Sequence, residues 1–598
     1  MCGFYYSNLD LSLKQVKSKL NLIKHRGPDN LSIKKVGSHN LGHVRLSIVD
    51  LDERSNQPIE YKGLYMLYNG EIYNYDVLKN ELVQKGYSFK TKSDTEVLLL
   101  GYHYCGPKIL NKLNGMFSFL IYDSNKDKLF LSRDRTGQKP IYYSIEEKGI
   151  EIASQTQCFE SKILNQDSIS LYLEMGYIPA PYSVYKGVNN LSPGHYIEYD
   201  LNNKNFSLVK YWDIPKYKPN NRSYYFNKEK LKSLLEDAVK QRLAADVNVG
   251  VLLSSGIDSS LISLISKKNN SNIKTFTIGF ENKNFDETED VKKFVNFFNI
   301  NNENKILTKE KFNLELDQFF DSFDVPFSDE SSLPYMLLSN SAKEKFKVIL
   351  SGDGSDESFL GYNKFFISFK VRTFFSLPSI IREFCLRIIL IFYKRNYVKK
   401  KYIQSLRKHR NIYDYIESLY FSDDKITFFD TKYFIKKHYS DSLSRNSYIQ
   451  FSADLRTKLW LSNSNNFKVD RASMAHSIEA RNPFLDYRII EFSRKIPIKQ
   501  RSTKKNRKRI LKSILKDYNQ NYKFSVPKKG FSVPILELFG EEIKEILIKE
   551  NFTWIKNLNK KSFDLILNEH EQGKIDHSKL LWRFYILHLW KKRKYSLS

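Results

Sequence analysis

Two patterns in the sequence could carry covalent or phosphate chemistry. Cys2 follows the initiator methionine, and removal of Met1 would leave a thiol beside a free α-amine. Such a pair combines a nucleophile with its own base, as in hydrolases that begin with threonine. The second pattern, Ser254–Ser260, is a loop of small residues between the apolar runs Val249–Leu253 and Leu261–Ser266. Small residues let backbone N–H groups face a phosphate, and a helix N-terminus after the loop adds partial positive charge.

Six short motifs follow one another in the first 140 residues. They are Cys2-Gly3, His25–Asp29, His43–Asp50, Asn69–Asn74, Ser93–Glu96 and Arg133–Pro140. Together they resemble the class II glutamine amidotransferases. The resemblance implies that the Cys2 thiolate attacks the side-chain amide of glutamine. Because this attack creates an oxyanion, donors must already be in place for it, and the resemblance assigns them to the Asn69 side chain and the Gly70 backbone N–H.

Glutamine also carries a carboxylate and an α-ammonium that the site must recognise. A buried arginine suits the carboxylate because its guanidinium donates two parallel hydrogen bonds, and the resemblance assigns this role to Arg45. A carboxylate suits the ammonium, and the resemblance assigns this role to Asp94, with Glu71 nearby. The competing interpretations are surface salt bridges for Arg45 and Asp94 and a simple turn for Asn69-Gly70.

The loop Ser254–Ser260 resembles the SGGxDS signature of ATP pyrophosphatases, which cleave ATP to AMP and pyrophosphate. No Gly-Lys pair follows, so the loop is not of the Walker A type. Ser255 stands where the signature has its first glycine, and a positive φ there would cost about 1 kcal/mol or more. Two acidic loops also suit Mg²⁺, which one or two carboxylates usually hold together with phosphate oxygens, and the resemblance assigns this role to Asp258 and Asp356. The implied ATP contacts are Leu252, Ser254, Ser255, Gly256, Asp258, Ser259, Ile278, Ser351 and Gly352, with Leu252 and Ile278 beside the adenine or ribose.

Later segments resemble the asparagine synthases. Lys468–His476 and Glu479–Asp486 match the long C-terminal motif of that family, with Asn482 where an apolar residue is usual. The segment around Lys528 resembles the family's RxKxGF-type stretch, with Val526 in place of the arginine. The resemblance then implies that Lys528 neutralises charge in the adenylation and amide-forming transition states.

A glutaminase followed by an ATP-pyrophosphatase resembles the glutamine-hydrolysing asparagine synthases over nearly the whole chain. The resemblance implies that glutamine supplies ammonia, that ATP with Mg²⁺ activates the β-carboxylate of aspartate, and that asparagine, AMP, pyrophosphate and glutamate are released. A second interpretation remains, namely an amidotransferase that acts on another small carboxylate, such as a sugar uronate or a surface-polysaccharide or peptide precursor. It rests on three departures from the family pattern, at Ser255, Asn482 and Val526. The intact motifs disfavour a non-catalytic nucleic-acid-binding protein, and Ser254–Ser260 disfavours a sugar-phosphate aminotransferase.

Composition narrows the partners and the compartment. The net charge is +29, but Lys and Arg are spread along the chain, which favours a solvated basic surface over nucleic-acid binding. The four cysteines form no CxxC pair and no signal-peptide pattern is visible, so we expect a cytoplasmic protein. Phe374–Tyr393 is interrupted by charges, which predicts a buried or surface-lying helix rather than a membrane span. A homodimer is the base-rate expectation.

Short apolar runs in the first part of the chain predict the strands that position the thiol. Leu64–Tyr68, Met116–Tyr122 and Lys128–Ser132 have strand length, and the polar turn between the last two predicts a hairpin. The capping-box pattern Ser93–Glu96 predicts the start of a helix. From residue 225 strands alternate with helices, which predicts a parallel sheet with ligand-binding loops at its strand ends, and beyond about residue 365 the chain is mainly helical.

We therefore expect a glutaminase domain over residues 2–210, a linker at 211–224 and a synthetase domain over residues 225–598. The resemblance implies an α+β sandwich of the N-terminal-nucleophile hydrolase type for the first, with two antiparallel sheets between helical layers. For the second it implies an α/β parallel-sheet ATP-pyrophosphatase domain with a helical C-terminal part.

Overall fold

The computed structural model describes residues 2–281, 286–367, 369–392, 406–421, 429–522, 535–550, 552–556 and 558–595. The site residues predicted from the sequence fall within these ranges, with one exception. Lys528, together with the nearby Val526, lies outside the described residues.

Residues 2–210 contain twelve strands that pair into two antiparallel sheets. They are β1 (Gly3–Ser7), β2 (Asn30–Val36), β3 (His39–Arg45), β4 (Ile59–Tyr61), β5 (Leu64–Ile72), β6 (Gly115–Asp123), β7 (Lys128–Arg133), β8 (Tyr142–Glu146), β9 (Gly149–Ala153), β10 (Asn189–Asn190), β11 (His195–Asp200) and β12 (Asn205–Lys210). The order in the first sheet is β10-β8-β9-β1-β3-β2, and in the second it is β12-β11-β7-β6-β5-β4.

The two sheets pack face to face because successive side chains of a strand point to opposite sides. Phe4 of β1 and Leu67 of β5 meet in the apolar core between the sheets. The neighbouring Met66 points the other way, into a core shared with helices on the outer face of the second sheet. The helices of this half are Leu13–Asn21, Tyr75–Gln84, Asp94–Cys105 and Gln166–Met175. The predicted arrangement of two antiparallel sheets between helical layers is confirmed.

Local predictions in this half are confirmed with one difference. Strands β6 and β7 form the predicted hairpin, with Asp123 opposite Lys128. The helix predicted after Ser93 is present, and Ser93 Oγ accepts a hydrogen bond from the Glu96 backbone N–H at 3.3 Å. The second half of the capping box differs, because the Glu96 carboxylate accepts the backbone N–H of Thr91 at 2.7 Å instead.

Residues 211–223 form neither helix nor strand, and a parallel sheet follows them. Its strands are β13 (Val249–Leu252), β14 (Lys274–Phe280), β15 (Asn301–Leu307), β16 (Val348–Leu350) and β17 (Glu479–Arg481). Their order is β15-β14-β13-β16-β17, and all neighbours are parallel. Because β14 and β16 lie on opposite sides of β13, the loops after β13 and β16 flank a crevice of the kind that binds ligands in such sheets.

Helices cover this sheet and make up most of the remaining described chain, which confirms the predicted α/β fold with a helical C-terminal part. They are Tyr224–Leu243, Ile257–Asn269, Thr288–Phe298, Lys309–Ser322, Ser332–Ala342, Ser355–Phe359, Phe369–Ser376, Ser379–Phe392, Ile412–Ser418, Thr431–His438, Tyr448–Arg456, Asn466–Met474, Tyr487–Ser493, Ile498–Arg501, Arg509–Tyr518, Ile535–Lys549, Lys560–Glu571 and Ser578–Tyr595. A π-helix, Thr457–Asn465, connects two of them. Among the described helices none is long and apolar enough to cross a bilayer.

A buried network of charges joins the two halves of the chain. Asp470, in the helix Asn466–Met474, accepts hydrogen bonds from Arg26 Nη1 and Nη2 at 2.9 and 3.0 Å. Lys139 Nζ lies 3.5 Å from the same carboxylate, and Arg471 Nη1 lies 2.8 Å from it. Burial alone would raise the pKa of Asp470, but these three cations outweigh it and hold that pKa below its ordinary value.

We predict that Asp470→Asn destabilises the association of the two halves. The substitution leaves Arg26 and Lys139 buried without a counter-charge, and breaking a buried pair in this way costs about 3–5 kcal/mol. Urea unfolding followed by tryptophan fluorescence should show a lower midpoint for the first transition. The matched control is Asp10→Asn, which neutralises an exposed aspartate and should leave the midpoint unchanged. Equal midpoints for both variants would contradict the prediction.

Candidate active site

Cys2 lies immediately before β1, at the place where the two antiparallel sheets face each other. Its backbone N–H donates a hydrogen bond to Asn69 Oδ1 at 3.2 Å, and its carbonyl oxygen accepts one from Arg26 Nε at 3.1 Å. Asn69, in β5, is fully buried, and its Nδ2 has no hydrogen-bond partner among the described residues. A buried N–H donor without a partner is costly, and an oxyanion formed at the neighbouring Cys2 would satisfy it.

Gly70 follows Asn69 and allows β5 to approach β6 closely. A Cβ atom at Gly70 would lie 2.2 Å from the carbonyl oxygen of Met116 and 2.7 Å from Phe117 Cα. No side chain fits at that distance, so the strand pairing itself requires glycine here. The Asn69-Gly70 pair is therefore part of a strand, and its interpretation as a simple turn is wrong.

The Cys2 thiol is enclosed. Burial raises its pKa above the ordinary value, although the positively charged chain terminus, a backbone hydrogen bond from Leu46 and the Arg45 charge act in the opposite direction. A thiol with a raised pKa is mostly protonated at neutral pH, so the site needs a base to generate the thiolate nucleophile.

Arg45, at the end of β3, is nearly buried and organises the loop that follows it. Its Nη1 donates hydrogen bonds to the Asp52 carbonyl oxygen at 3.0 Å and to Asn56 Oδ1 at 2.9 Å, and its Nη2 donates to the Asp50 carbonyl oxygen. These partners hold the guanidinium in place, and the surface salt bridge considered for Arg45 is not its role in the structure. These three hydrogen bonds use three of the five N–H donors that a guanidinium carries.

Three buried carboxylates form one cluster, and the charge of one of them, Glu479, acts on the Cys2 thiol. Glu71 comes from β5 and Asp94 from the start of the helix Asp94–Cys105, whereas Glu479 comes from β17 of the parallel sheet. The guanidinium of Arg481 contacts two of them, with Nε 2.6 Å from Glu479 Oε1 and Nη2 3.3 Å from Glu71 Oε2. The sequence predicted Glu71 and Asp94, and the structure adds Glu479 and Arg481.

The electrostatics of this cluster favour an additional cation. Burial, and then the Asp94 charge, hold the pKa of Glu71 well above its ordinary value, and burial also raises the pKa of Asp94. At Glu479 the effect of burial is outweighed by Arg481, so its pKa is lowered. A bound ammonium group would stabilise the ionised forms of Glu71 and Asp94. The interpretation of Asp94 as a surface salt bridge is wrong, because the residue is buried and accepts the Tyr68 hydroxyl at 2.7 Å.

The second centre lies at the carboxyl ends of β13 and β16. The Ser255 backbone N–H donates to the Glu287 carboxylate at 3.1 Å, and Ser254 Oγ lies 2.9 Å from Ser259 Oγ. The helix predicted to begin at Leu261 already begins at Ile257, with Gly256 as its N-cap. The loop is therefore shorter than the run of small residues suggested. The backbone N–H groups of the first helical turn have no partner within the helix, and a helix N-terminus of this kind suits an anion.

The strain that a positive φ at Ser255 would have caused is absent from the structure. Positive φ angles occur at other non-glycine residues such as Asp50 and Leu360, but not at Ser255, and the following Gly256 has φ −74°. A serine at this position therefore carries none of the backbone penalty that a positive φ would impose.

A glycine brings the loop after β16 against the first loop. A Cβ atom at Gly352 would lie 2.9 Å from Asp258 Cβ and 3.2 Å from the Ser259 backbone nitrogen. The neighbouring Ser351 donates its backbone N–H to the Arg481 carbonyl oxygen at 3.0 Å. Leu252 and Ile278, predicted to flank the nucleotide, are both buried near the ends of their strands.

Asp258 and Asp356 converge on one cation of the chain itself. Lys508 Nζ lies 2.5 Å from Asp258 Oδ2 and 2.5 Å from Asp356 Oδ1, and donates to Ser355 Oγ at 2.8 Å. The other oxygen of Asp258, Oδ1, is buried and has no hydrogen-bond partner among the described residues. Sequence reasoning missed Lys508, which lies in the short basic run 504–509 and has no local pattern that marks it as a site residue.

The fold and the two centres define a class of enzyme in which a glutamine amidotransferase is joined to a parallel-sheet domain with a pyrophosphate-type loop. A family profile described as "Glutamine amidotransferase domain" matches residues 1–212, and one described as "Asparagine synthase" matches residues 230–592. The chain belongs to the asparagine synthase family.

Relatives match this chain over most of its length. It is 28% identical over 628 residues to the glutamine-hydrolyzing asparagine synthetase 1 of Bacillus subtilis, which covers 99% of this chain and 96% of that protein. It is 36% identical over 406 residues to a Methanocaldococcus jannaschii protein that is provisionally named glutamine-hydrolyzing asparagine synthetase 2. This match covers 62% of this chain and 77% of that protein. Asparagine synthetase 3 of Bacillus subtilis is 27% identical over 547 residues, covering 86% of this chain and 84% of that protein.

We predict that Asn69→Asp slows glutamine hydrolysis without weakening glutamine binding. The substitution keeps the acceptor for the Cys2 N–H but removes the Nδ2 donors, and the loss of one oxyanion donor lowers kcat about 10²–10³-fold. Glutamate release at varied glutamine concentration should show this fall in kcat with KM within about threefold. Asn202→Asp, at an exposed position, is the matched control. A kcat within twofold of the wild type for Asn69→Asp would rule out the donor role.

Proposed function

We propose that the protein makes asparagine from aspartate, ATP and glutamine. The observation that carries the proposal is the connection of the two centres through β17. The Arg481 side chain contacts Glu71 beside the thiol, while its backbone carbonyl binds Ser351 in the loop facing the first ATP loop. One strand thus belongs to both a thiol centre suited to glutamine and a loop pair suited to a nucleotide.

In the first half-reaction the Cys2 sulfur attacks the amide carbon of glutamine. After removal of Met1, the α-amine of Cys2 takes the thiol proton and later delivers it to the leaving nitrogen. Asn69 Nδ2 and the Gly70 N–H stabilise the oxyanion, Arg45 binds the substrate carboxylate, and Asp94 and Glu71 bind its ammonium. The C–N bond breaks to release ammonia and leave a thioester, which water then hydrolyses to glutamate and free thiol.

In the second half-reaction the β-carboxylate of aspartate attacks the α-phosphorus of ATP. The bond to the β-phosphate oxygen breaks, pyrophosphate leaves, and a mixed anhydride of aspartate and AMP forms. Ammonia attacks the acyl carbon, AMP leaves with the electrons of the C–O bond, and loss of a proton gives the amide. The proposed ATP contacts are those predicted from the two loops, and Lys528 is proposed to neutralise charge in both steps.

Asp258 and Asp356 are the residues that would hold Mg²⁺. They fit the ion because two convergent carboxylates, one with a buried unpartnered oxygen, are a donor set that Mg²⁺ commonly completes with phosphate oxygens. When bound, Mg²⁺ would neutralise charge on the phosphates of ATP. Lys508 neutralises the two carboxylates in the described state and is available to contact phosphate once they bind the ion.

We further propose the domain limits expected from the sequence, a glutaminase over residues 2–210 and a synthetase over residues 225–598. The irregular stretch 211–223 separates the last strand of the second antiparallel sheet from the helix Tyr224–Leu243. Ammonia released at Cys2 would then reach the nucleotide loops through a mostly apolar passage between the two domains, where exclusion of water keeps it unprotonated and nucleophilic.

One observation favours a second candidate, an amidotransferase for another small carboxylate. Asn482 directly follows Arg481 of β17 and is 2% exposed, and its Oδ1 has no hydrogen-bond partner among the described residues. A hydrogen-bond acceptor at the edge of the sheet would suit a substrate that carries a hydrogen-bond donor in addition to those of aspartate, such as a sugar uronate.

We predict that Cys2→Ala abolishes amide formation from glutamine but leaves amide formation from ammonium salts. The substitution removes the nucleophile and leaves the ATP loops untouched. Mass spectrometry of reactions with ATP and a panel of carboxylates should detect asparagine, together with AMP and pyrophosphate. Ser7→Ala, a neighbouring small substitution in β1, is the control that keeps the thiol.

Loss of both activities in a folded Cys2→Ala protein would contradict separate centres. If the wild-type protein hydrolyses glutamine but releases AMP with a uronate and not with aspartate, the result would favour the second candidate function over asparagine synthesis.

We predict that Asp258→Asn raises the Mg²⁺ concentration needed for half-maximal AMP release at least tenfold. The variant removes one of two carboxylates that would hold the ion, while glutaminase activity without ATP should stay within about twofold. The control is Glu289→Gln, an exposed carboxylate in the same half of the chain. An unchanged Mg²⁺ dependence for Asp258→Asn would exclude it as a ligand.

A further inference from the structure

The helix Ser379–Phe392 turns an apolar face away from the protein. Ile380 is 83% exposed, Phe384 64%, Ile381 46% and Ile388 39%. At about 100° per residue these four side chains fall within an arc of about 100° on one side of the helix. On the opposite side Leu386 is 4% exposed and anchors the helix to the protein. This stripe is larger and more continuous than the single exposed apolar residues found on most protein surfaces.

Basic residues lie on the same helix and on the segments that flank it in the sequence. Arg387, on the same helix, and Arg372, Arg407, Lys408 and Arg410, on the flanking segments, are all exposed.

The described residues 369–392 and 406–411 contain seven Lys and Arg and one acidic residue, Glu383. Arg387 Nε lies 3.3 Å and Arg407 Nη2 lies 2.5 Å from Glu383 Oε1, so the single negative charge is neutralised. Positive charge, which the sequence shows scattered along the whole chain, is thus locally in excess beside the apolar stripe, with a net charge of +6 over these described residues.

We propose that the exposed face of Ser379–Phe392, with its surrounding basic residues, docks on an anionic membrane surface. An amphipathic helix with aliphatic and aromatic side chains on one face and Lys or Arg around it lies in the headgroup region of such a bilayer. The apolar stripe enters the acyl boundary, and the basic residues bind the anionic headgroups. The helix lies on the membrane and does not cross it.

The charge and the apolar stripe together distinguish an anionic membrane from two other partners, a second copy of the chain and a nucleic acid. A second copy of the chain, docked through the same face, would bring two clusters of the same sign together, and such like-charge contact is unfavourable. A nucleic acid would bind the basic residues but would leave Ile380 and Phe384 without an apolar partner. An anionic lipid surface offers both an apolar and a negatively charged partner.

The test is co-sedimentation of the full chain with vesicles of phosphatidylcholine alone and of phosphatidylcholine mixed with phosphatidylglycerol. We expect at least tenfold stronger binding to the anionic vesicles, weakened by added salt because exposed charges are screened. The double variant Ile380→Ser with Phe384→Ser should lower this binding at least tenfold. Ile163→Ser with Leu314→Ser, at two other positions that are 68% and 72% exposed, is the matched control and should bind like the wild type.

Glutaminase activity of each variant verifies folding, because the four substituted positions lie outside both proposed centres. Equal binding to neutral and anionic vesicles, or undiminished binding by Ile380→Ser with Phe384→Ser, would overturn the proposal. Absence of vesicle binding would also overturn it, and a concentration-dependent dimer that this variant abolishes would assign the face to a second copy of the chain.

Discussion

Burial of charge at the junction of the two halves is the constraint on which the rest of the structure depends. A buried ion is stable only when it is paired and hydrogen-bonded, and neither half contains the full set of partners. Arg26 Nη1 donates a hydrogen bond to Asp470 of the other half, and Arg26 Nε donates one to the carbonyl oxygen of Cys2. The same side chain thus joins the halves and holds the backbone of the nucleophile, so the interface between the halves lies next to the thiol.

The strand β17 extends this dependence from one centre to the other. Glu479 and Arg481 complete the charge cluster with Glu71 and Asp94, and the Arg481 carbonyl oxygen accepts the backbone N–H of Ser351 at the proposed ATP edge. A cation bound near Glu71 and Asp94 changes the electrostatic environment of Arg481 directly. The chain therefore has a short physical connection between the two proposed centres.

Much of the fold could be predicted from local patterns, and part of the site could be as well. The hairpin of β6 and β7, the strand β14 and the helix after Ser93 follow from alternation, turns and caps that involve neighbouring residues. Whether Ser255 would be strained depended on the sign of its φ, and the structure shows no positive φ there before the helix begins at Ile257. Backbone angles in a loop depend on the elements at both of its ends, which a sequence window does not contain.

By itself the sequence determined which chemical groups are present and in what local order, namely a cysteine at the start of β1, an Asn-Gly pair in β5 and small-residue loops after β13 and β16. Only the tertiary structure decided that Lys508 lies between Asp258 and Asp356, and that Arg481 contacts Glu71. Each of these contacts joins residues more than a hundred positions apart. Their energies come from burial and charge pairing that exist only after the sheets and helices have packed.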